Sequence, residues 1–173
     1  ITQNPVAGTA LAGHNDTETI TITATDNSGN SSQCTFQVTL KDEIAPTITC
    51  PTDFTLNADI NCEVSIGDYT NMAVVADNCT ASGAITVTQS PEAGTIFSGH
   101  NDTEIITLTA NDGNGNTETC IFTITLKDTT PPSLTCPSNQ SIAVNTTCEI
   151  TIPDYTSMVT KTDNCLADAS ILL

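Results

Sequence analysis

Arginine and tryptophan are missing from this chain, lysine occurs only as Lys41, Lys127 and Lys161, and the aromatic set is four phenylalanines and two tyrosines. Against three basic residues stand twenty acids, for a formal net charge of −17. So negative a surface repels phosphate backbones and anionic lipid, which excludes nucleic acid and membrane-surface binding as partners. No apolar run reaches transmembrane length, so this segment makes no direct membrane insertion. Hydrophobic content of 38% with so few aromatics predicts a thin core that needs covalent staples. No cysteine pair has the C-x2-C spacing and both histidines lie in polar stretches, which argues against zinc.

What is present is a repeat. Gly13-His14-Asn15-Asp16-Thr17-Glu18 returns as Gly99-His100-Asn101-Asp102-Thr103-Glu104 (99 − 13 = 86). The same offset carries Cys34 to Cys120, Cys50 to Cys136, Cys62 to Cys148 and Cys79 to Cys165, without insertion or deletion. A period this long, kept in register, describes an array of folded modules rather than two halves of one active site. The chain begins and ends at equivalent points of the repeat, as a window on a longer array does. Four cysteines per repeat point to disulfides and an oxidising, extracytoplasmic compartment.

Period-2 alternation predicts strands over Glu18 to Ala24 and Glu104 to Ala110, over Cys34 to Leu40 and Cys120 to Leu126, and over Ala84 to Gln89. Shorter strands are predicted at Thr47 to Cys50, Phe54 to Leu56 and Glu63 to Ile66. The Asn111 to Asn116 segment, rich in Gly and Asn, should join Glu104–Ala110 to Cys120–Leu126 as a hairpin. No stretch has helical periodicity with caps. The fold class is all-β, tandem immunoglobulin-like β-sandwich repeats. Proline stiffens Lys41-Asp42-Glu43-Ile44-Ala45-Pro46 and Lys127-Asp128-Thr129-Thr130-Pro131-Pro132, which makes these the module boundaries. On that frame 1–42 is the C-terminal half of a first module, 43–128 a complete module, and 129–173 the N-terminal half of a third.

Pro46-Thr47-Ile48-Thr49-Cys50-Pro51, Ala76-Asp77-Asn78-Cys79, and Ala110-Asn111-Asp112-Gly113-Asn114-Gly115-Asn116-Thr117-Glu118-Thr119-Cys120 with Phe122 and Lys127-Asp128 resemble the hyalin repeat (HYR), an Ig-like extracellular module. The Thr-rich, Arg-free tandem layout is also similar to arrays in large surface proteins of gliding bacteria. The resemblance implies adhesion and offers no catalytic residue to transfer, so no enzyme is expected. Four cysteines allow three connectivities. The resemblance implies Cys50–Cys120, because first and last strands of such a sandwich adjoin and simpler relatives keep that pair alone. That leaves Cys62–Cys79, with Cys148–Cys165 as its copy, and Cys34 and Cys136 without partners in this window.

In a sandwich of this type the linker, the loop after the second strand and the last hairpin turn gather at one pole. That would assemble Asp42, Asp77, Asn78 and Asp112 with Asn114 or Asn116, an oxygen set suited to calcium. Asp128 and Asp163 take the same roles at the next junction, their third acid lying beyond Leu173. The bland alternative is that these Asp and Asn residues only cap loop backbone through Asx turns. The Gly-His-Asn-Asp loop reads as a solvent-facing turn, with contact to a glycan or other surface ligand as a minor reading. Function is then structural and adhesive: an extracellular, cell-surface stalk or filament whose partners are neighbouring repeats of the same chain, stiffened by disulfides and calcium. The rival is a carbohydrate- or protein-binding module that recognises its ligand through its loops.

Overall fold

The computed structural model describes residues 1–167 and 170–172, and it is all-β. Among the described residues, thirteen strands alternate with three single-turn 3-10 segments. The long ones follow the alternating Thr/Ile runs. β2 (Thr17–Thr25) pairs antiparallel with β3 (Ser31–Thr39), and β1 (Thr2–Asn4) adds to the other edge of β2. Their later counterparts are β10 (Thr103–Asn111) and β11 (Thr117–Lys127), neighbours in a four-stranded sheet of order β5-β11-β10-β8. Here β5 is Phe54–Asn57 and β8 is Thr86–Ser90. The remaining strands make two-stranded pairs. β4 (Thr47–Thr49) joins β7 (Val74–Ala76), β6 (Glu63–Ser65) joins β9 (Ile96–Ser98), and β12 (Ser133–Thr135) joins β13 (Thr160–Thr162). The strand predicted from Ala84 starts later, because Ser82–Ala84 forms a 3-10 turn around Gly83.

The stretch through Cys50 and Pro51 changes partners partway. β4 pairs antiparallel with β7, while β5 runs parallel to the end of β11, Phe54 opposite Ile124 and Leu56 opposite Leu126. Covering β11 in this way has a large effect on burial. Phe122 is 2% exposed and stacks on Phe54 with ring centroids 5.7 Å apart, and Ile124 and Leu126 are fully buried. Phe36, 86 positions before Phe122, has no such strand beside it and is 53% exposed. Ile106, Leu108 and Ala110 on β10 are buried as well.

The chain divides into two compact units. The first takes Ile1–Pro51, Tyr69–Gln89 and Thr107–Ile121; the second takes Thr52–Asp68, Ser90–Ile106 and Phe122–Leu173. β10 and β11 contribute to both. Each unit therefore holds both sides of one sequence boundary between repeats, Asp42/Glu43 in the first and Asp128/Thr129 in the second.

Two disulfides close. Cys50 is bonded to Cys120, within the first unit. Cys62 is bonded to Cys165, within the second, and this corrects the expected Cys62–Cys79 and Cys148–Cys165 pairs. Cys34, Cys79, Cys136 and Cys148 are exposed thiols. The physical reason lies in the turn that carries Cys62. Asp59 organises that turn by accepting the N–H groups of Asn61 and Glu63, and its carbonyl accepts the side-chain amide of Asn164 at 3.0 Å. The loop of Cys165 is thus seated on the turn of Cys62, whereas Cys79 belongs to the other unit.

Candidate junction site

Asp42 sits where β3 ends and the linker begins, and it is held on every side. Its N–H donates to Nδ1 of His14 at 2.9 Å, and its Oδ1 accepts the N–H of Ile44. Its Oδ2 accepts the side-chain amide of Asn114 at 3.0 Å, and its carbonyl accepts that of Asn116 at 3.3 Å. The two asparagines come from the turn between β10 and β11. That turn is shaped by Asp112, whose Oδ1 accepts the N–H groups of Asn114 and Asn116 while Oδ2 accepts Asn116 Nδ2 at 2.6 Å. Gly113 and Gly115 supply the positive φ angles, 81° and 105°, that let the loop close around this carboxylate. The first hairpin has the same turn around Asp26, with Ser28 and Asn30 as donors, but fully open to solvent. Only at the junction is it covered: Asp112 is 4% and Asp42 6% exposed.

The third acid arrives from the loop after β7. Asp77 Oδ2 accepts the N–H groups of Cys79 and Thr80, and the Thr80 hydroxyl donates to the Asp112 carbonyl while accepting from Asn114. Asp77 Oδ1 is buried and without a hydrogen-bond partner. Among the described residues, Asp42, Asp77 and Asp112 form a group whose ligand oxygens all lie within 4.8 Å of one another. Burial pushes the Asp112 carboxyl up, yet hydrogen bonds from Asn116 and the Asn114 amide outweigh it and hold it below the usual carboxylate value of 3.8. The Cys79 thiol is pushed up, first by partial desolvation and then by the negative charge of Asp42, Asp77 and Asp112.

Asn114 and Asn116 join the cluster, but as amide donors to the acids rather than as carbonyl ligands. Asn78 turns aside, its amide on the sulfur of Cys79. At the second boundary Asp128 repeats the pattern, its N–H on His100 Nδ1 at 3.1 Å and its Oδ1 accepting from Thr130. Asp163 accepts the N–H groups of Cys165 and Leu166, which chiefly hold its carboxyl low, with smaller contributions from Asp128 and from the potential of His100. Asn164 Oδ1 there is buried and unpartnered.

His14 and His100 are the residues whose role the sequence reading missed. They do not belong to idle surface turns: each accepts the main-chain N–H of a linker aspartate 28 residues on and so pins the linker to the hairpin that precedes it. The signal was available in the joint repetition of Gly-His-Asn-Asp and Lys-Asp at one constant separation.

The site is a convergence of carboxylates and amides, with chemistry suited to holding a cation or a backbone rather than to turning over a substrate. No curated protein matches the chain. The HYR domain family profile matches residues 41–126, a span that opens beside Asp42 and encloses Asp77, Asp112, Asn114 and Asn116. Residues 41–126 of this chain are an HYR domain, one of a family of extracellular, adhesion-type modules that are not enzymes.

Proposed function

We propose that the chain is a structural and adhesive segment of an extracellular, cell-surface stalk, in which each HYR module is locked to its neighbour at the linker and calcium completes the lock. The partners it needs are adjoining repeats of the same polypeptide. The observation that carries this reading is the first junction: three carboxylates within 4.8 Å, two of them buried, with Asp77 Oδ1 buried and unpartnered among them. A buried carboxylate oxygen without a donor is costly, and like charges this close repel at neutral pH. A hard divalent cation with an oxygen preference removes both penalties. Asp42, Asp77 and Asp112 would be its ligands, and rotation of the Asn114 or Asn116 amide would present a further oxygen. Asp128 and Asp163 would be the matching ligands at the second junction.

The disulfides support the same reading, since they fit an oxidising exterior. The net charge of −17 fits a protein that attracts divalent cations and stays clear of anionic surfaces. Calorimetry and thermal melting with and without chelator test it. Millimolar calcium is expected to release binding heat and raise Tm, by mass action equivalent to about 2.7 kcal/mol at a hundredfold excess over Kd. Asp77→Asn should abolish the calcium-dependent increment while leaving the metal-free protein folded. Absence of both heat and shift would leave these residues as turn formers. Retention of glycans by the chain on an array would instead favour direct ligand recognition by the loops.

A further inference from the structure

The Cys62–Cys165 bridge does not lie inside a repeat. Cys165 is the counterpart of Cys79, so the bond runs from one repeat to the equivalent loop of the next, across 103 residues. The two residues that would make the same bond elsewhere are both present and already shaped for it. Cys148 corresponds to Cys62: φ is 62° at each, Cys62 N–H donates to the Asp59 carbonyl at 3.1 Å, and Cys148 N–H donates to the Asn145 carbonyl at 3.0 Å. The flanking amides of Asn61 and Glu63 bond Asp59 as those of Thr147 and Glu149 bond Asn145. Cys79 corresponds to Cys165: their N–H groups donate to Asp77 and Asp163, and the side-chain amides of Asn78 and Asn164 lie against the two sulfurs. Cys79 and Cys148 are exposed as thiols, whereas Cys62 and Cys165 are joined.

We propose that Cys79 and Cys148 are the open halves of this same inter-repeat bridge, each taking a cysteine from an adjoining copy of the 86-residue unit in the same polypeptide. Cys79 takes the Cys62-type cysteine of a preceding copy, and Cys148 takes the Cys79-type cysteine of a following one. Tandem repeats then form a covalent ladder in which every module is bonded to the next, in addition to its own Cys50–Cys120-type staple. The inference rests on the connectivity of the observed bond and stands whether or not calcium binds.

Closing each bond joins two sulfurs and releases two protons and two electrons, which an extracytoplasmic disulfide oxidant accepts. A thiolate of the pair attacks the oxidant's disulfide, one oxidant sulfur leaves as thiolate, and the second cysteine displaces the other from the mixed disulfide. The mechanical consequence follows from spacing. With the Cys50–Cys120-type staples removed, tension still passes from Cys148 through 17 residues to Cys165 and across the next bond. An unfolded repeat would extend by about 60 Å instead of about 300 Å, at about 3.5 Å per residue.

Two lengthened chains test the proposal beside the 173-residue chain. One carries a second copy of residues 88–173 after Leu173, the other a second copy of residues 1–86 before Ile1. Each is folded under oxidising conditions, alkylated without reduction, and mapped by mass spectrometry. The 173-residue chain should be labelled at Cys79 and Cys148. The C-terminal extension should protect Cys148, bonded to the new copy of Cys165, and leave Cys79 labelled. The N-terminal extension should do the reverse, with Cys79 bonded to the new copy of Cys62. Labelling that ignores the side of extension, a Cys62–Cys79 or Cys148–Cys165 bond, or disulfide-linked dimers in place of internal bonds would overturn it.

Discussion

Lys41, Lys127 and Lys161 are the only tryptic sites, and they place Cys165 on a peptide apart from both Cys62 and Cys148. Without reduction, the peptide 42–127 should carry the Cys50–Cys120 bond internally and be linked through Cys62 to the C-terminal peptide that begins at Thr162. Recovery of 128–161 linked to that C-terminal peptide would mean that Cys136 or Cys148, not Cys62, bonds Cys165. A second residue-scale expectation concerns acid. The Asp112 carboxyl titrates below its ordinary value in the folded chain, so the unfolded chain binds the proton first as pH falls. Its contribution is therefore fully present above about pH 4 and lost as pH drops through the lower, folded value. Asp112→Asn should flatten the acid limb of Tm against pH by lowering Tm at the neutral end, the two proteins converging as the carboxyl of the parent is protonated. An acid limb of unaltered steepness would show that the hydrogen bonds from Asn114 and Asn116 do not favour the charged form.

At the scale of elements, two strands with nearly the same pattern behave differently. β3 alternates Cys34, Phe36 and Val38 along one face as β11 alternates Cys120, Phe122 and Ile124, yet of the two only β11 has β5 alongside it. Phe122→Ala should cost about 3–5 kcal/mol, the usual range for emptying a buried aromatic site. Phe36→Ala should cost below about 1 kcal/mol, because most of that ring already meets water. Chemical denaturation of the two variants makes the comparison, and equal losses would mean that β3 is covered in solution. The same pair shows what the sequence can convey. Alternation in Thr-Ile-Thr-Ile stretches fixes strand and hairpin identity, since period 2 admits few other backbones, and the Gly/Asn turn with Asp112 at its head was readable for the same reason. Burial was not readable, because Phe36 and Phe122 share the same local alternation and differ in a strand dozens of residues away. Repetition hid the disulfide partner too: Cys79 and Cys165 are copies, so local sequence gave no reason to choose the distant one. Asp42, Asp77 and Asp112 were legible as a group because the fold type places linker and loops at one pole. The histidine clamp left only the constant 28-residue separation of its two repeated motifs as a signal, since a His–backbone contact has no complementary side chain to notice.

For the whole molecule, stability should be uneven in a way that follows the burial of each part. The sheet built on β10 and β11 contains the fully buried Ile106, Leu108, Ile124 and Leu126. β12 and β13 form only a two-stranded pair of three residues each, a size that is marginal on its own in water. What ties their region down is the bond from Cys165 to Cys62, together with Asn164 on the Asp59 carbonyl. A bond closing a loop of 103 residues restricts the unfolded chain by about 4–5 kcal/mol in the chain-entropy account. Cys62→Ser should then leave the amides of β10 and β11 the slowest to exchange, while those of β12 and β13 lose protection almost entirely through local opening. Cys50–Cys120 remains intact in that variant, so the core sheet keeps its own staple. Protection of β12 and β13 that survives Cys62→Ser would mean that packing alone holds the second repeat boundary, and that the bridge between repeats is not what makes it rigid.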